Sequence, residues 1–346
     1  GPAGTGAAAA LVFLFLSNPA FTRVGGVRLR SQCETFIALA VTAAMVLLLR
    51  KVKRPSPATM IGAGALFGLA FALKYNAAVF AVAGVAALWL HRRLTTHDLV
   101  RMIAGFLLPA LMIPVIFAIG GALRPLLDAT LRYNLEYSGE TYRSPFDVVQ
   151  YLGTFPIERA RFDALWTVGG AGCLILLAGA LGARERLVPV VWVAAACASI
   201  AINGSRGLPQ YFIQANPALA LAAGWGGALA WIWLRAGTGR AARFVAVPIA
   251  LVVVVAVWRV NQFDKLAEQT IFDARHALGT MSRETYLARY DDDRKYSALA
   301  GLTLGTYLAA HSQPGDRVFV FGFTSAAYLE ANRTSASRFF WSRPVI

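Results

Sequence analysis

Long apolar runs alternate with short polar segments over roughly the first three quarters of the chain. A helix that crosses a bilayer needs about 20 mostly apolar residues, and in lipid it satisfies its own backbone hydrogen bonds. The pattern therefore predicts a polytopic, all-α helical bundle with nine spans. The predicted spans are residues 6–17, 34–50, 58–73, 76–90, 102–120, 165–182, 187–203, 212–234 and 244–258.

The pattern changes after residue 258, where polar residues become frequent. Residues 262–278 and 294–311 show amphipathic helical periodicity, and shorter strand and helix patterns follow. We predict strands at Asp316–Gly322 and Arg338–Trp341, with a helix at Thr324–Asn332 between them. The chain is thus divided into a transmembrane domain, residues 1–258, and a small α/β segment, residues 259–346.

Basic residues indicate the orientation of the predicted spans. They follow the second, fourth, sixth and eighth spans, and loops rich in Lys and Arg stay on the cytoplasmic side. These residues are Lys51, Lys53, Arg54, His91, Arg92, Arg93, Arg101, Arg184, Arg186, Arg235, Arg240 and Arg243. Arg23, Arg28 and Arg30 depart from the rule. We expect an integral protein of the bacterial inner membrane, with the tail periplasmic or extracellular.

The predicted orientation also places loop 121–164 on the exoplasmic side. Its leucines, at positions 126, 127, 131 and 135, could form one face of a helix lying on the bilayer. A plain surface loop is the alternative.

Composition supports the membrane interpretation and argues against nucleic acid as a partner. Hydrophobic residues make up 57% of the chain and charged residues 15%, whereas soluble domains carry about 25% charged residues. The net charge of +15 is explained by basic cytoplasmic loops, since no basic patch is interleaved with stacking aromatic residues. No Cys or His spacing predicts a metal site, and Asp291–Asp293 fits an acidic helix start.

Three span entrances carry candidate functional residues. Glu34 opens the second span, where a carboxylate could orient a hydroxyl, accept a proton or bind a divalent metal ion. The alternative is an acidic residue that stabilises the helix N-terminus. Lys74 ends the Gly-rich third span, beside Tyr75, and could hold a lipid phosphate. The alternative is a lysine that extends to the interface.

The third entrance is the segment from Asn203 to Pro217, which gathers hydrogen-bond donors. We predict that Arg206, Gln210 and Tyr211 bind substrate there. Ordinary interfacial anchoring by Arg206 and Tyr211 is the alternative. In the third span, Gly64 and Gly68 form a GxxxG pair, which predicts close helix packing.

The three entrances together resemble the membrane glycosyltransferases of the GT-C fold, close to family 39 and the protein O-mannosyltransferases. Bacterial relatives of that group include the aminoarabinose transferase and the Rgt-type sugar transferases. The resemblance rests on Ser31–Phe36, Gly64–Lys74 and Gln210–Pro217, with the tail segments Pro314–Gly322, Ala331–Arg333 and Ser337–Phe339 in support. Each motif alone is degenerate, so the combination carries the resemblance.

The resemblance implies an inverting transfer from a polyprenyl-phosphate sugar to a lipid, glycan or protein acceptor at the exoplasmic face. It implies that Lys74 holds the donor phosphate and that Glu34 is a secondary acidic residue. The family's main catalytic aspartate lies between its first two spans, and this chain resembles the family from about its third span. We therefore expect a fragment that lacks the main base and whose α/β segment is truncated.

A non-enzymatic transporter or flippase of a lipid-linked sugar is the alternative function. It predicts broken helices or inverted repeats across the bilayer midplane, together with charges in the middle of spans. No clear repeat occurs in the sequence, and the candidate residues cluster at one face. A shared site predicts that Glu34, Lys74 and Tyr211 converge within about 15 Å, because even water-bridged contacts are short.

Overall fold

The computed structural model describes most of the chain, in segments. The described residues are 4–17, 33–49, 56–91, 94–133, 142, 144–204, 209–235, 247–248, 251, 263–289, 297–321 and 324–337. They fall into two compact units, one formed by residues up to 251 and the other by residues from 263 onward.

The first unit is built from helices whose bounds follow the apolar runs of the sequence. Its α-helices are α1 Thr5–Leu16, α2 Cys33–Leu49, α3 Pro57–Leu73, α4 Ala78–His91, α5 Thr96–Ile119, α6 Leu123–Leu127, α7 Pro145–Ala160, α8 Ala164–Ala178, α9 Leu187–Ile202 and α10 Asn216–Arg235. Short 3₁₀ helices occupy Tyr75–Ala77, Ala180–Gly182, Arg184–Arg186 and Pro209–Ala215, and a π-helical turn occupies Asp128–Arg132. The described part of this unit is all-α, as the pattern predicts.

Three helices among the described residues are long and apolar enough to cross a membrane. They are Thr96–Ile119, Arg184–Ile202 and Gln210–Arg235. A fourth candidate is the pair Pro145–Ala160 and Ala164–Ala178, which is bent by 114°. Four further apolar helices are shorter: Thr5–Leu16, Cys33–Leu49, Pro57–Leu73 and Tyr75–His91. The count of nine spans and their orientation therefore stay predictions.

Glycines set how closely α3 and α5 approach. A Cβ atom added to Gly64 would collide with the backbone carbonyl of Met102, and one added to Gly68 would collide with that of Phe106. Conversely, a Cβ atom on Gly105 would collide with the carbonyl of Ile61. The two helices thus touch backbone to backbone, which confirms the predicted role of the GxxxG pair in close packing.

The main core of the first unit lies where α2, α3 and α4 meet α9 and the 3₁₀ helix Pro209–Ala215. Its largest fully buried side chains include Ile37, Met45, Phe67, Phe80 and Ile200. By contrast, α5 exposes a row of large apolar side chains, among them Leu108, Leu111 and Ile119. A lipid environment would cover such a surface, since soluble monomers rarely expose a large apolar patch.

The second unit contains four helices and a short parallel pair of strands. They are α11 Phe263–Ala277, α12 Arg283–Ala288, α13 Ala298–His311, β1 Arg317–Val318, α14 Ala326–Ala331 and β2 Thr334–Ser335. Arg317 pairs with Thr334 and Val318 with Ser335. A small core of Val320, Ala327 and Tyr328 lies beside them. The membrane side on which this unit lies stays a prediction.

Several sequence expectations need correction or fall outside the described residues. Loop 121–164 is not a plain surface loop, because Leu123–Leu127 and Asp128–Arg132 are helical and α7 occupies Pro145–Ala160. The helical part includes Leu126, Leu127 and Leu131, as one alternative predicted, while position 135 lies outside the described residues. The strand that pairs with β1 lies at Thr334–Ser335, and the predicted strand Arg338–Trp341 is outside the described residues. Most of the predicted span 244–258 and all of Asp291–Asp293 are outside them too.

Candidate functional site

Three chain segments meet at one end of the helices of the first unit. Cys33 and Glu34 begin α2, Lys74 follows the end of α3, and Tyr211 lies in the 3₁₀ helix Pro209–Ala215. The start of α3 is fixed by an N-cap. Ser56 Oγ accepts a hydrogen bond from the Thr59 amide, and Pro57 occupies the first turn. Seventeen residues later the helix ends, and Lys74 follows in an extended conformation.

Glu34, in the first turn of α2, forms an ion pair with Lys74, which directly follows the end of α3. Lys74 Nζ donates to Glu34 Oε1 at 2.7 Å, and the other carboxylate oxygen accepts a weak hydrogen bond from Cys33 Sγ at 3.2 Å. The Glu34 side chain is only 1% exposed, whereas that of Lys74 is 22% exposed. The carboxylate is therefore enclosed by protein, whereas part of the Lys74 side chain reaches the surface.

Tyr211 supplies a second contact for the ammonium group. Lys74 Nζ lies 4.1 Å from the centre of the Tyr211 ring, within the range of a cation–π interaction. The ring and the carboxylate thus hold one cation from two sides. The structure brings Glu34, Lys74 and Tyr211 together, well within the predicted 15 Å.

A buried chain of polar side chains connects two of the segments that form this group. Asn76 Nδ2 donates to Ser199 Oγ at 2.8 Å and to the Ser199 carbonyl at 2.9 Å. Ser199 Oγ donates to Gln214 Oε1 at 2.8 Å, and Gln214 Nε2 donates to the Tyr211 carbonyl at 2.9 Å. We call Asn76, Ser199 and Gln214 the polar bridge, because they connect the segment after Lys74 with the segment that carries Tyr211.

The other predicted substrate-binding residues have different positions. The Tyr75 ring lies 5.6 Å from the Phe71 ring, centre to centre, and so packs beside the end of α3. Gln210 is half-buried in the same 3₁₀ helix as Tyr211. Arg206 lies outside the described residues. Pro217 lies in the first turn of α10, where its missing N–H group costs no hydrogen bond within the helix.

Part of this site falls in a stretch with a recognisable family pattern. Residues 3–117 match the family model of dolichyl-phosphate-mannose-protein mannosyltransferase. The match covers about a third of the chain and includes Glu34 and Lys74 but not Tyr211. It indicates a membrane glycosyltransferase that uses a polyprenyl-phosphate sugar donor. No curated protein and no solved structure gives a significant match.

A second group of the same chemical kind adjoins the group of Glu34, Lys74 and Tyr211. The Arg159 guanidinium lies 4.5 Å from the centre of the Phe212 ring, and Arg159 Nη2 lies 3.3 Å from Asp163 Oδ2. Asp163 also begins α8, since its Oδ1 accepts the Leu165 amide at 3.0 Å. Neighbouring residues of one 3₁₀ helix, Tyr211 and Phe212, therefore each present a ring to a paired cation.

Tyr142 connects the segment before α7 with α9. Its hydroxyl donates to the Ala201 carbonyl at 2.8 Å, and its ring lies 6.2 Å from that of Tyr151. Burial, with a smaller contribution from Tyr151, raises the pKa of Tyr142 to about 12. The hydroxyl therefore stays protonated and keeps donating at any pH near neutral.

Sequence reasoning missed Asn76, Ser199 and Arg159 as members of this region. Ser199 lies in an Ala-rich apolar run, where a single hydroxyl carries little information. Arg159 belongs to α7, which was itself missed. A signal for α7 exists, because Ser144 and Asp147 exchange hydrogen bonds as a capping box and Pro145 follows Ser144.

Proposed function

We propose that this protein transfers a sugar from a polyprenyl-phosphate donor to an acceptor at the exoplasmic face, with inversion at the anomeric carbon. The observation that supports this proposal most is the position of Lys74. It lies in the mannosyltransferase-like stretch, at a helix end, with its ammonium group held between Glu34 and the Tyr211 ring.

Lys74 has the capacity to bind a phosphate as well as Glu34. An ammonium group carries three N–H donors, and within the described residues Glu34 Oε1 is the acceptor that takes one of them. The Tyr211 ring attracts the cation without using a hydrogen-bond donor. The remaining donors can therefore reach the oxygens of a phosphate that approaches from the exposed side of Lys74.

A cation at this position suits the chemistry of the transfer. In the proposed reaction an acceptor hydroxyl oxygen forms a bond to the anomeric carbon, while the bond from that carbon to the phosphate oxygen breaks. The bonding electron pair leaves with the phosphate, which changes from a diester to a monoester and gains a negative charge. The proton of the acceptor goes to a base, and Lys74 stabilises the charge that develops on the phosphate.

Glu34 acts here by holding Lys74 in place. Its carboxylate is enclosed, accepts from Lys74 and Cys33, and keeps the ammonium group at one position. This is the role of a secondary acidic residue, consistent with the resemblance to protein O-mannosyltransferases. Gln210, Tyr75 and Arg206 extend the proposed substrate-binding surface around the same entrance.

The test uses the purified protein in lipid nanodiscs. Binding of polyprenyl phosphate is compared with binding of the uncharged polyprenol, and polyprenyl-phosphate mannose is the first donor because of the family description. We expect a preference for the phosphate over the alcohol, which is lost in Lys74→Met. Equal binding of phosphate and alcohol by the unmodified protein would overturn the proposal.

The same assay separates the alternatives that the sequence left open. A flippase would move the intact donor between leaflets without breaking the bond between sugar and phosphate. The anomeric configuration of the product, read by NMR, tests inversion.

Among the described residues no three His, Cys, Asp or Glu side chains gather as metal ligands would, and activity with and without EDTA tests metal dependence directly.

A further inference from the structure

We infer that Asn76, Ser199 and Gln214, the polar bridge, are positioning residues that set the selectivity of the site for phosphate. This inference rests on the proposed function, because it concerns the same Lys74. The bridge does not touch the ammonium group. It acts through the two backbone segments that carry Lys74 and Tyr211.

The direction of each hydrogen bond in the bridge is fixed by its end groups. The Ser199 carbonyl can only accept, so the nitrogen of the Asn76 amide must face it. The Tyr211 carbonyl can likewise only accept, so the nitrogen of the Gln214 amide faces it and the oxygen faces Ser199. The single hydroxyl proton of Ser199 then goes to Gln214. All the donors therefore point the same way, from Asn76 towards Tyr211.

The bridge and the contact between Lys74 and Tyr211 together connect the same two backbone segments at two places. Asn76 lies two residues after Lys74, in the 3₁₀ turn Tyr75–Ala77, and Gln214 lies three residues after Tyr211 in its own 3₁₀ helix. The same two segments also meet where Lys74 Nζ lies 4.1 Å from the centre of the Tyr211 ring. The distance between the Lys74 cation and the Tyr211 ring therefore depends on two things, the cation–π contact itself and the hydrogen bonds of the polar bridge.

Burial makes the bridge sensitive to single atoms. Asn76 is 8% exposed, Ser199 0% and Gln214 2%. In such surroundings hydrogen bonds are strong and polarise one another, and a lost partner is not replaced by bulk water. A change of one hydroxyl in Ser199 should thus shift the backbone at Tyr211, and with it the ring beneath Lys74.

Packing alone would not require this arrangement. An apolar side chain could fill the space of Gln214 without the cost of burying an amide. The Asn76 carbonyl oxygen, moreover, has no hydrogen-bond partner among the described residues, which is itself destabilising. The three polar side chains are thus better explained by the precision that they give to Lys74 and Tyr211.

The experiment compares Ser199→Ala with Thr42→Val as a matched control. Thr42 donates to the Ala38 carbonyl within α2 at 2.6 Å and belongs to neither the site nor the bridge. We expect Ser199→Ala to weaken binding of polyprenyl phosphate about 3- to 10-fold, the effect of losing about 0.7–1.4 kcal/mol, while polyprenol binding stays constant. The control should leave the ratio of the two affinities unchanged.

A readout without ligand separates this inference from the proposed function. In protein labelled with [ε-¹³C]lysine, the signal of Lys74, assigned by its loss in Lys74→Arg, should be shifted by the Tyr211 ring current. Ser199→Ala should move it towards the position of an exposed lysine, and Thr42→Val should not. If the unmodified protein fails to prefer phosphate over alcohol, the proposed function and its dependent inference both fail.

If Lys74→Met abolishes the phosphate preference but Ser199→Ala changes neither that ratio nor the lysine signal, the inference alone is wrong. A fall in thermal stability of Ser199→Ala with an intact ratio and signal would likewise assign the bridge to structure only. The Gln214→Met variant is a second check, since it removes the nitrogen that donates to the Tyr211 carbonyl at nearly constant volume. It should lower the phosphate preference as well.

Discussion

Two groups in the molecule have the same three components: a cation, a carboxylate and an aromatic ring. Their rings belong to the neighbouring residues Tyr211 and Phe212. In one, Arg159 contacts Asp163 four residues away and the Phe212 ring, and Asp163 also caps α8. In the other, Lys74 contacts Glu34 forty residues away and the Tyr211 ring. The first group connects consecutive helices, whereas the second exists only when α2, α3 and the 3₁₀ helix have come together.

This difference separates a structural ion pair from a candidate binding group. Asp163 uses its carboxylate for a helix cap as well as for Arg159, so the pair stabilises the bend between α7 and α8. Glu34 is enclosed and directed at a cation that keeps donors available. We therefore expect changes in the Arg159 group to affect stability, and changes in the Lys74 group to affect ligand binding too.

The largest expected effect comes from Lys74→Met. It leaves the buried Glu34 carboxylate without its cation, which should cost about 3–5 kcal/mol of unfolding free energy. The double variant Glu34→Gln/Lys74→Met removes both charges and should recover most of that stability, but not phosphate binding. Denaturant unfolding in detergent micelles measures the first effect and ligand titration the second; recovery of binding in the double variant would contradict our assignment.

Arg159→Met should have a smaller effect on stability and none on selectivity. The loss of its ion pair and of its contact with Phe212 should cost about 1–3 kcal/mol. The ratio of affinities for polyprenyl phosphate and polyprenol should remain that of the unmodified protein. A large fall in that ratio would show that the two groups are not functionally distinct.

The rings themselves offer a more selective comparison. Tyr211→Leu removes a cation–π contact worth about 1 kcal/mol, so phosphate affinity should fall about fivefold. Tyr211→Phe keeps the ring and should retain most of the affinity. Phe212→Leu alters the neighbouring ring and should affect thermal stability alone. Equal losses of affinity in Tyr211→Leu and Phe212→Leu would argue for general packing.

The smallest expected effect concerns the start of α7. Ser144→Ala removes the hydroxyl of the capping box and should cost about 0.5–1 kcal/mol. Amide hydrogen exchange should accelerate in the first turn of α7 and remain constant at Lys74 and Tyr75. Faster exchange at both places would mean that α7 supports the Lys74 site, contrary to the separation proposed here.

Hydropathy predicted the helices of the first unit well, because lipid-facing apolar runs determine where such helices begin and end. α2 and α3 start within one residue of the predicted spans at 34 and 58. α7 was missed because its sequence mixes Asp147, Gln150 and Glu158 with apolar residues and contains Pro156. In the second unit, the strand Thr334–Ser335 was not predicted, because two-residue strands carry almost no periodic signal.

Residues of the site could be predicted from the sequence where placing such a residue in its surroundings costs free energy. Glu34 and Lys74 were identified because charges at span entrances need a reason, and the structure pairs them. Ser199 gave no such signal, since a hydroxyl in an apolar helix can bond to its own backbone. Its role depends on Asn76 and Gln214, which lie 123 residues before it and 15 after it. Such long-range partners follow from packing between helices, which local pattern does not contain.

The glycine contacts between α3 and α5 fix the position of Lys74 along the helix axis. Because Gly64 and Gly68 rest directly on the backbone of α5, and Gly105 rests on that of α3, the two helices interlock in one register. A slip by one residue, about 1.5 Å along the axis, would bring side chains where only hydrogen atoms fit. The position of Lys74 at the end of α3 is therefore fixed relative to α5. For the proposed function, this fixed register sets the position of the phosphate-binding ammonium group relative to α5.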